Sequence, residues 1–259
     1  MLDGVTERPG ASDQFVQSLA RGLDVIRAFD AARPRMTLSE VATQTGLSRA
    51  AARRFLLTLV ELGYVRSDGR DFSLTPQVLR LGTAFLSGLG LPDLAQPHLQ
   101  RLSARVGESS SVAVLDGHKI VYVARVATRS IMSVGITVGT RFPAHATSMG
   151  RVLLAALPPA ELDAFLASAD LSGSDGRPST DAVRVRETVG QVAAQGWAST
   201  DQELAPGLRS VAAPVRDRSG AVVAALNISS TTAHDPAAEY LDALLDTARA
   251  LSDDIAAAG

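Results

Sequence analysis

Apolar residues recur at helical spacing through Leu19, Leu23, Ile26 and Phe29, with Ser18 placed to cap the segment and residues 31–35, which include Pro34, to end it. A second, shorter helix starts where Thr37 is followed three residues later by Glu40. This capping-box pair precedes a buried face of Leu38, Val41 and Ala42. Gly46 breaks that helix. Ser48 opens a third, running to Leu62, with Ala51, Phe55, Leu56, Leu59 and Val60 available for burial and Arg49, Arg53 and Arg54 left for solvent or a ligand. Gly63 supplies its stop. Residues 64–75 alternate around Asp68-Gly69-Arg70, which predicts a hairpin. Residues 76–89 predict one amphipathic helix carrying Val78, Leu79, Leu81, Phe85 and Leu86, closed by Gly88 and Gly90 before Pro92.

Beyond that point strands and helices mix. Helices are predicted over 94–106, 148–156, 159–169, 181–195 and 236–256, and strands over 110–115, 120–126 and 131–138, with a hairpin of 211–215 and 222–229 turning at Ser219-Gly220. Hairpins flanked by helices predict an α+β chain whose C-terminal part is a GAF-like α/β sensor sheet. The expected division is a tail over 1–14, a winged helix-turn-helix over 15–75, a linker helix over 76–91 and an effector-binding domain over 92–259.

Composition narrows the function. With 259 residues, 46% of them hydrophobic, the chain has material for two cores. It has no cysteine, so disulfides, thiol nucleophiles and thiolate metal sites are excluded, and a reducing cytoplasm fits. Neither a secretory signal nor a membrane-spanning run is read. The formal net charge of -2 hides an asymmetry: between positions 15 and 80 there are ten Arg against six acids, while the remainder is acidic.

A helix-turn-helix needs a short helix, a tight turn and a second helix whose first side chains reach base edges. Residues 37–62 supply that order. Thr45-Gly46-Leu47-Ser48 combines a break, an apolar plug and an N-cap, and small Ala50 permits close approach. Guanidinium groups on Arg49, Arg53 and Arg54 suit guanine edges or phosphates, and Arg70 sits at the tip of the predicted wing. The expected DNA-contacting set is Thr37, Ser48, Arg49, Ala50, Arg53, Arg54 and Arg70, acting on double-stranded operator DNA. Because one recognition helix reads few base pairs, a homodimer is expected, with residues 76–89 as its seam.

The stretches FVQSLARGLDVIRAF from Phe15 and LSEVATQTGLSRAAARRFLLTLVELGYV from Leu38 resemble the N-terminal domain of the IclR family of bacterial regulators. RFPAHATSMGRVLLAAL from Arg141, Asp201-Gln202-Glu203 and GLRSVAAPVRDRSGAVVAALNISS from Gly207 resemble that family's effector-binding domain. SLARGL, TSMGRVLL and Asn227-Ile228-Ser229 look most like the branch controlling protocatechuate, 4-hydroxybenzoate and β-ketoadipate catabolism. The resemblance implies a small organic acid as effector, contacts at Ser148, Met149, Thr200, Asp201, Ser210, Asn227 and Ser229, and assembly up to a tetramer. Some relatives carry Asp, Cys and Ser at the positions of Thr200, Ser210 and Asn227. That departure points away from glyoxylate or pyruvate and towards a hydroxylated ligand.

The residues themselves are compatible with a carboxylate receptor, since Ser148 is placed to cap a helix start whose exposed N–H groups and dipole suit an anion. Arg125 and Arg141 are further carboxylate candidates. The competing class, a small-molecule enzyme or pure sensor, has little to stand on. His98, His118, His145 and His234 are scattered, neither HExxH nor GxSxG occurs, and His145 near Ser148 lacks an oriented third member. No catalytic residue, metal site or cofactor is expected. Trp197 reads as a core or pocket-wall residue.

Overall fold

The computed structural model describes residues 14–30, 32–82, 90–128, 136–172 and 180–258. The chain divides into two compact units, 1–87 and 88–259.

In the N-terminal unit, α1 (Gln17–Arg27), α2 (Leu38–Thr45) and α3 (Arg49–Glu61) enclose a core of Val25, Val41, Ala52, Leu56 and Leu59. The N-cap of α1 is Val16 rather than Ser18, which lies inside the first turn. Without a side-chain cap, this helix start rests on packing. The capping box of α2 forms as expected: the Thr37 hydroxyl accepts from the Glu40 N–H, and the Glu40 carboxylate accepts from the Thr37 N–H at 2.7 Å. Gly46 ends α2 in the left-handed region at φ 67, and Leu47 then packs on the core. The hairpin of β2 (Val65–Ser67) and β3 (Asp71–Leu74) gains a third strand that periodicity missed, because β1 (Met36–Thr37) is only two residues long. The sheet order is β1-β3-β2.

The expected linker helix lies partly outside the described residues. Its described start is a 3-10 turn, Pro76–Leu79, followed by helical residues 80–82. The next helix, α4 (Leu91–Val106), begins three residues before the expected position, with Pro92 in its first turn, where the missing N–H costs nothing.

The C-terminal unit is built on a six-stranded antiparallel sheet in the order β6-β5-β4-β9-β8-β7. Its strands are β4 (Ser109–Asp116), β5 (Lys119–Val126), β6 (Arg141–Pro143), β7 (Ala198–Asp201), β8 (Leu208–Arg216) and β9 (Val222–Thr231). The strand expected over 131–138 falls largely outside the described residues, and 136–138 carry no strand. The two edge strands β6 and β7 escaped the sequence reading, since three and four residues of mixed polarity give no alternation to detect. On one face lie α4 and the C-terminal helix α9 (Leu241–Ala258), which follows the four-residue α8 (Pro236–Glu239). A single helix was expected there, but Tyr240 leaves helical geometry between them. On the other face, α5 (Ser148–Ala155) packs against β7, β8 and β9 and is backed by α6 (Pro159–Ser168) and α7 (Ala182–Gln195).

Glu108, at the start of β4, is buried. Burial pushes its carboxyl above the ordinary value of 4.5, His234 pulls it back, and Glu239 adds to the rise. A raised carboxylate favours the protonated form in the folded state, so its charge costs stability above both titrations. Glu108→Gln is therefore expected to raise the melting temperature at pH 7 by a few degrees. The gain should shrink as pH falls and vanish below 4.5, where the carboxyl becomes protonated folded and unfolded alike. Thermal unfolding across pH checks this, and a constant offset at every pH would contradict it.

Candidate functional site

Two sites take shape, one in each unit. In the N-terminal unit, the Ser48 hydroxyl accepts from the Ala51 N–H at 3.2 Å and starts α3. With Ala52, Leu56 and Leu59 fixed inwards, helical geometry turns Arg49, Ala50, Arg53 and Arg54 to solvent, and all four are exposed. Among the described residues, none of these three guanidinium groups has an ion pair or side-chain hydrogen bond. Elsewhere in the same unit, Arg33 is paired with Asp30, and Arg35 with Asp68. A cluster of unneutralised cations at the start of a helix matches a polyanion. Arg70 is exposed at the wing tip, where the Asp68 carboxylate accepts from the Arg70 and Asp71 N–H groups. The Thr37 hydroxyl is committed to its capping box, which leaves its position at the start of α2, rather than a free hydroxyl, as its contribution.

In the C-terminal unit, strand register brings scattered polar residues together. Thr200 pairs with Ser210, Ser210 with Ser229 and Ser229 with Ser109, giving one row across four strands. The next row on the same face runs Ala198, Ala212, Asn227, Ser111 and Arg125. The intervening residues point the other way: Ser110 donates to the Leu99 carbonyl of α4 at 3.1 Å. Above these rows sits the start of α5. Ser148, Ser210 and Thr200 form a chain of hydroxyls with both links at 2.8 Å, and the Asn227 amide donates to Ser229 at 2.8 Å. Met149 is buried beside them.

The Asn227 Oδ1 is buried with no hydrogen-bond partner, although the residue is only 2% exposed. Leaving a buried acceptor unpaired costs roughly 1–3 kcal/mol, which a donor from a bound molecule would offset. Arg125 Nε and Ser230 Oγ are the other unpartnered buried side-chain atoms among the described residues.

Three expectations need correction. The cap of α5 is Thr147, whose hydroxyl accepts from Gly150 N–H at 3.1 Å, and this frees Ser148 in the first turn to reach Ser210. Asp201 does not join the cluster. Alternation along β7 turns it outwards, where it is exposed and holds Arg209 at 2.9 Å. Arg141 is likewise taken, by Asp116 at 2.5 Å on the surface. What sequence reasoning missed is Ser109 and Ser111, which only β4's position at the sheet centre brings alongside Asn227 and Ser229.

The histidines are dispersed. His98 meets Asp254 at 2.7 Å, His118 meets Ser168 at 2.9 Å, and His234 meets Glu239 at 3.0 Å, so each sits in a separate structural contact. Ser148 is bonded to Ser210, a hydroxyl rather than a base. Among the described residues no three metal-ligating side chains converge, and no helix is long and apolar enough to cross a membrane.

A winged helix-turn-helix with a bare arginine face, followed in the chain by a domain whose sheet and helix start converge polar groups, defines a ligand-responsive DNA-binding regulator. Residues 18–69 match the IclR helix-turn-helix domain, and residues 83–256 match the bacterial transcriptional regulator IclR C-terminal domain. The chain belongs to the IclR family of transcriptional regulators and is not an enzyme. It is 48% identical over 217 residues to the Pca regulon regulatory protein of Pseudomonas putida, covering 83% of this chain and 75% of that one. It is also 36% identical to the p-hydroxybenzoate hydroxylase transcriptional activator of Acinetobacter baylyi, over 85% of this chain and 83% of the relative. Among solved structures, a putative transcriptional regulator from Rhodococcus sp. RHA1 superimposes with a TM-score of 0.81 at 53% identity, covering 95% of this chain and all of that one.

Proposed function

We propose that this regulator acts in the cytoplasm on genes of aromatic-acid catabolism. It grips paired operator half-sites through Ser48, Arg49, Ala50, Arg53 and Arg54, with Thr37 and Arg70 at the flanking backbone. It binds a hydroxylated organic acid over Ser148, Met149, Thr200, Ser210, Asn227 and Ser229. The observation that carries the ligand reading is the buried, unpaired Asn227 Oδ1 beside the chain of hydroxyls that joins Ser148, at a helix start, to Ser210 and Thr200. The resemblance to the branch controlling aromatic-acid catabolism supplies the first ligands to try, protocatechuate, 4-hydroxybenzoate and β-ketoadipate, and the name of the Acinetobacter relative carries the second of them. The division that goes with this reading is a tail over 1–14, a DNA-binding domain over 15–75, a linker over 76–91 and an effector domain over 92–259.

A dimer follows from the same logic. Leu19, Leu23, Leu62 and Leu81, each between 46% and 64% exposed, line one apolar groove of the N-terminal unit, a face that a second copy would cover. A tetramer is the larger assembly that the family allows. Light scattering at micromolar concentration tests this: a monomer with undiminished operator affinity would exclude the dimer.

For the acid to regulate, it must bind the DNA-competent and DNA-incompetent arrangements with different affinity, because tight binding alone shifts nothing. Asn227→Leu nearly keeps size while removing donor and acceptor. It is expected to lower effector affinity by about tenfold or more while operator binding survives. Calorimetry of parent and variant with the three acids, beside an operator mobility shift, is the measurement. Equal affinities in both proteins would move the site elsewhere. No heat from any acid, with operator binding intact, would assign the regulator to another carboxylate pathway.

A further inference from the structure

The second polar row on the sheet ends in a cation. Arg125 lies on β5 opposite Ser111 of β4, which in turn lies opposite Asn227 of β9, so the guanidinium and the unpaired amide oxygen face the same side two strand spacings apart, roughly 10 Å between backbones. Placement on this face depends on an irregularity. The register of β4 against β5 shifts between Val112 and Ala113, so that Val112 pairs with Ala124 but Ala113 with Tyr122. The bulge breaks strict alternation and lets Arg125 share a face with Tyr122, a member of the core beneath α5.

Arg125 is half-buried, unlike the surface arginines of this unit. Its Nη1 donates to Ser111 Oγ at 3.1 Å, and its Nε is buried without a partner. No carboxylate of the described residues pairs with it, whereas Arg141, Arg151, Arg186 and Arg209 each hold an acid. Burial pulls its guanidinium below the usual range, partly opposed by Tyr122, whose phenol burial pushes up to about 12. A partly desolvated cation without a counter-charge carries a cost, and an anionic group from outside lowers that cost.

Two polar residues of the row, on either side of Ser111, therefore ask for opposite chemistry: Arg125 Nε–H needs an acceptor, and Asn227 Oδ1 needs a donor. We propose that Arg125 pairs with the effector's carboxylate while Asn227 accepts its hydroxyl proton, so that this row selects hydroxylated carboxylic acids against their neutral amides. The inference rests on the effector-site reading above and adds to it a specificity residue on β5, away from the start of α5.

The test is calorimetry of the full chain with 4-hydroxybenzoate, 4-hydroxybenzamide and benzoate. The parent should bind the acid at least about tenfold tighter than the amide, and tighter than benzoate. Arg125→Gln should weaken 4-hydroxybenzoate by about 30-fold, leave the amide nearly unchanged and so abolish the acid preference, while Arg125→Lys, which keeps the charge but not the fork, restores part of it. Asn227→Leu should instead erase the preference for 4-hydroxybenzoate over benzoate. An unchanged acid-to-amide ratio in Arg125→Gln, at the parent's melting temperature, would make Arg125 a structural cover for Ser111 and overturn the proposal while leaving the effector site standing. Loss of acid and amide binding in equal proportion would overturn it too, as a packing effect. If 4-hydroxybenzoate does not bind the parent at all, the proposal fails together with the aromatic-acid reading, and operator binding by the same preparation shows whether the regulator reading survives.

Discussion

Replacing Arg53 and Arg54 together by alanine is expected to weaken operator binding by about a hundredfold or more, because each lost phosphate or base contact removes roughly 1–3 kcal/mol. The melting temperature should hold. Both side chains are exposed, neither forms an ion pair among the described residues, and alanine is the better helix former. The dependence of affinity on salt should flatten by about one unit of log–log slope for every phosphate contact removed, while a base-reading arginine would change sequence preference more than slope. Mobility shifts at several salt concentrations, run with thermal unfolding of the same proteins, separate the two. Parent-like affinity in the double variant would place the recognition face elsewhere.

Gly150→Ala is expected to be the most damaging small substitution in the C-terminal unit. Gly150 lies in the first turn of α5, and a Cβ there would stand 2.0 Å from the Ala144 carbonyl oxygen and 2.5 Å from its carbonyl carbon. Neither can yield cheaply. Residues Ala144–Ala146 form the 3-10 turn that feeds the helix, and the same carbonyl accepts from the Thr147 N–H at 3.3 Å. Helix propensity alone predicts about 1 kcal/mol of stabilisation for glycine to alanine, whereas overpacking against backbone costs about 3 kcal/mol or more, so the clash decides the sign. Gly190, exposed in α7 with open space around its Cβ position, is the control, and Gly190→Ala should stabilise by about 1 kcal/mol. Denaturant unfolding of both variants, with effector calorimetry on Gly150→Ala, measures the contrast. A neutral Gly150→Ala would mean that the turn and α5 separate freely, and that the geometry holding Ser148 over Ser210 is not fixed by this contact.

Much of this molecule was legible one residue at a time. The capping box at Thr37, the glycine stop at Gly46, the Ser48 cap and the arginines of α3 are local signals: each needs only its neighbours within a turn or two, and the structure reproduces all of them. The hairpins of β2 with β3, β4 with β5 and β8 with β9 are equally local, because a turn sequence between alternating strands fixes pairing at short range. Ser148, Met149, Ser210, Asn227 and Ser229 came from resemblance, and nothing in their own spacing brings positions 148 and 227 together.

Only the tertiary structure decided which polar residues meet. The pairing of β4 with β9 joins residues more than a hundred positions apart and places Ser109 and Ser111 beside Ser229 and Asn227. Side-chain direction in a strand alternates with period two, so a single residue of register separates Thr200, which enters the cluster, from Asp201, which faces solvent and Arg209. The same sensitivity governs Arg125, whose direction depends on the shift between Val112 and Ala113. Local sequence determined most of the helices and the exposed arginine face of α3, because helix geometry carries a side chain's direction within the segment itself. The polar face of the C-terminal sheet required long-range register, which no window of the sequence contains.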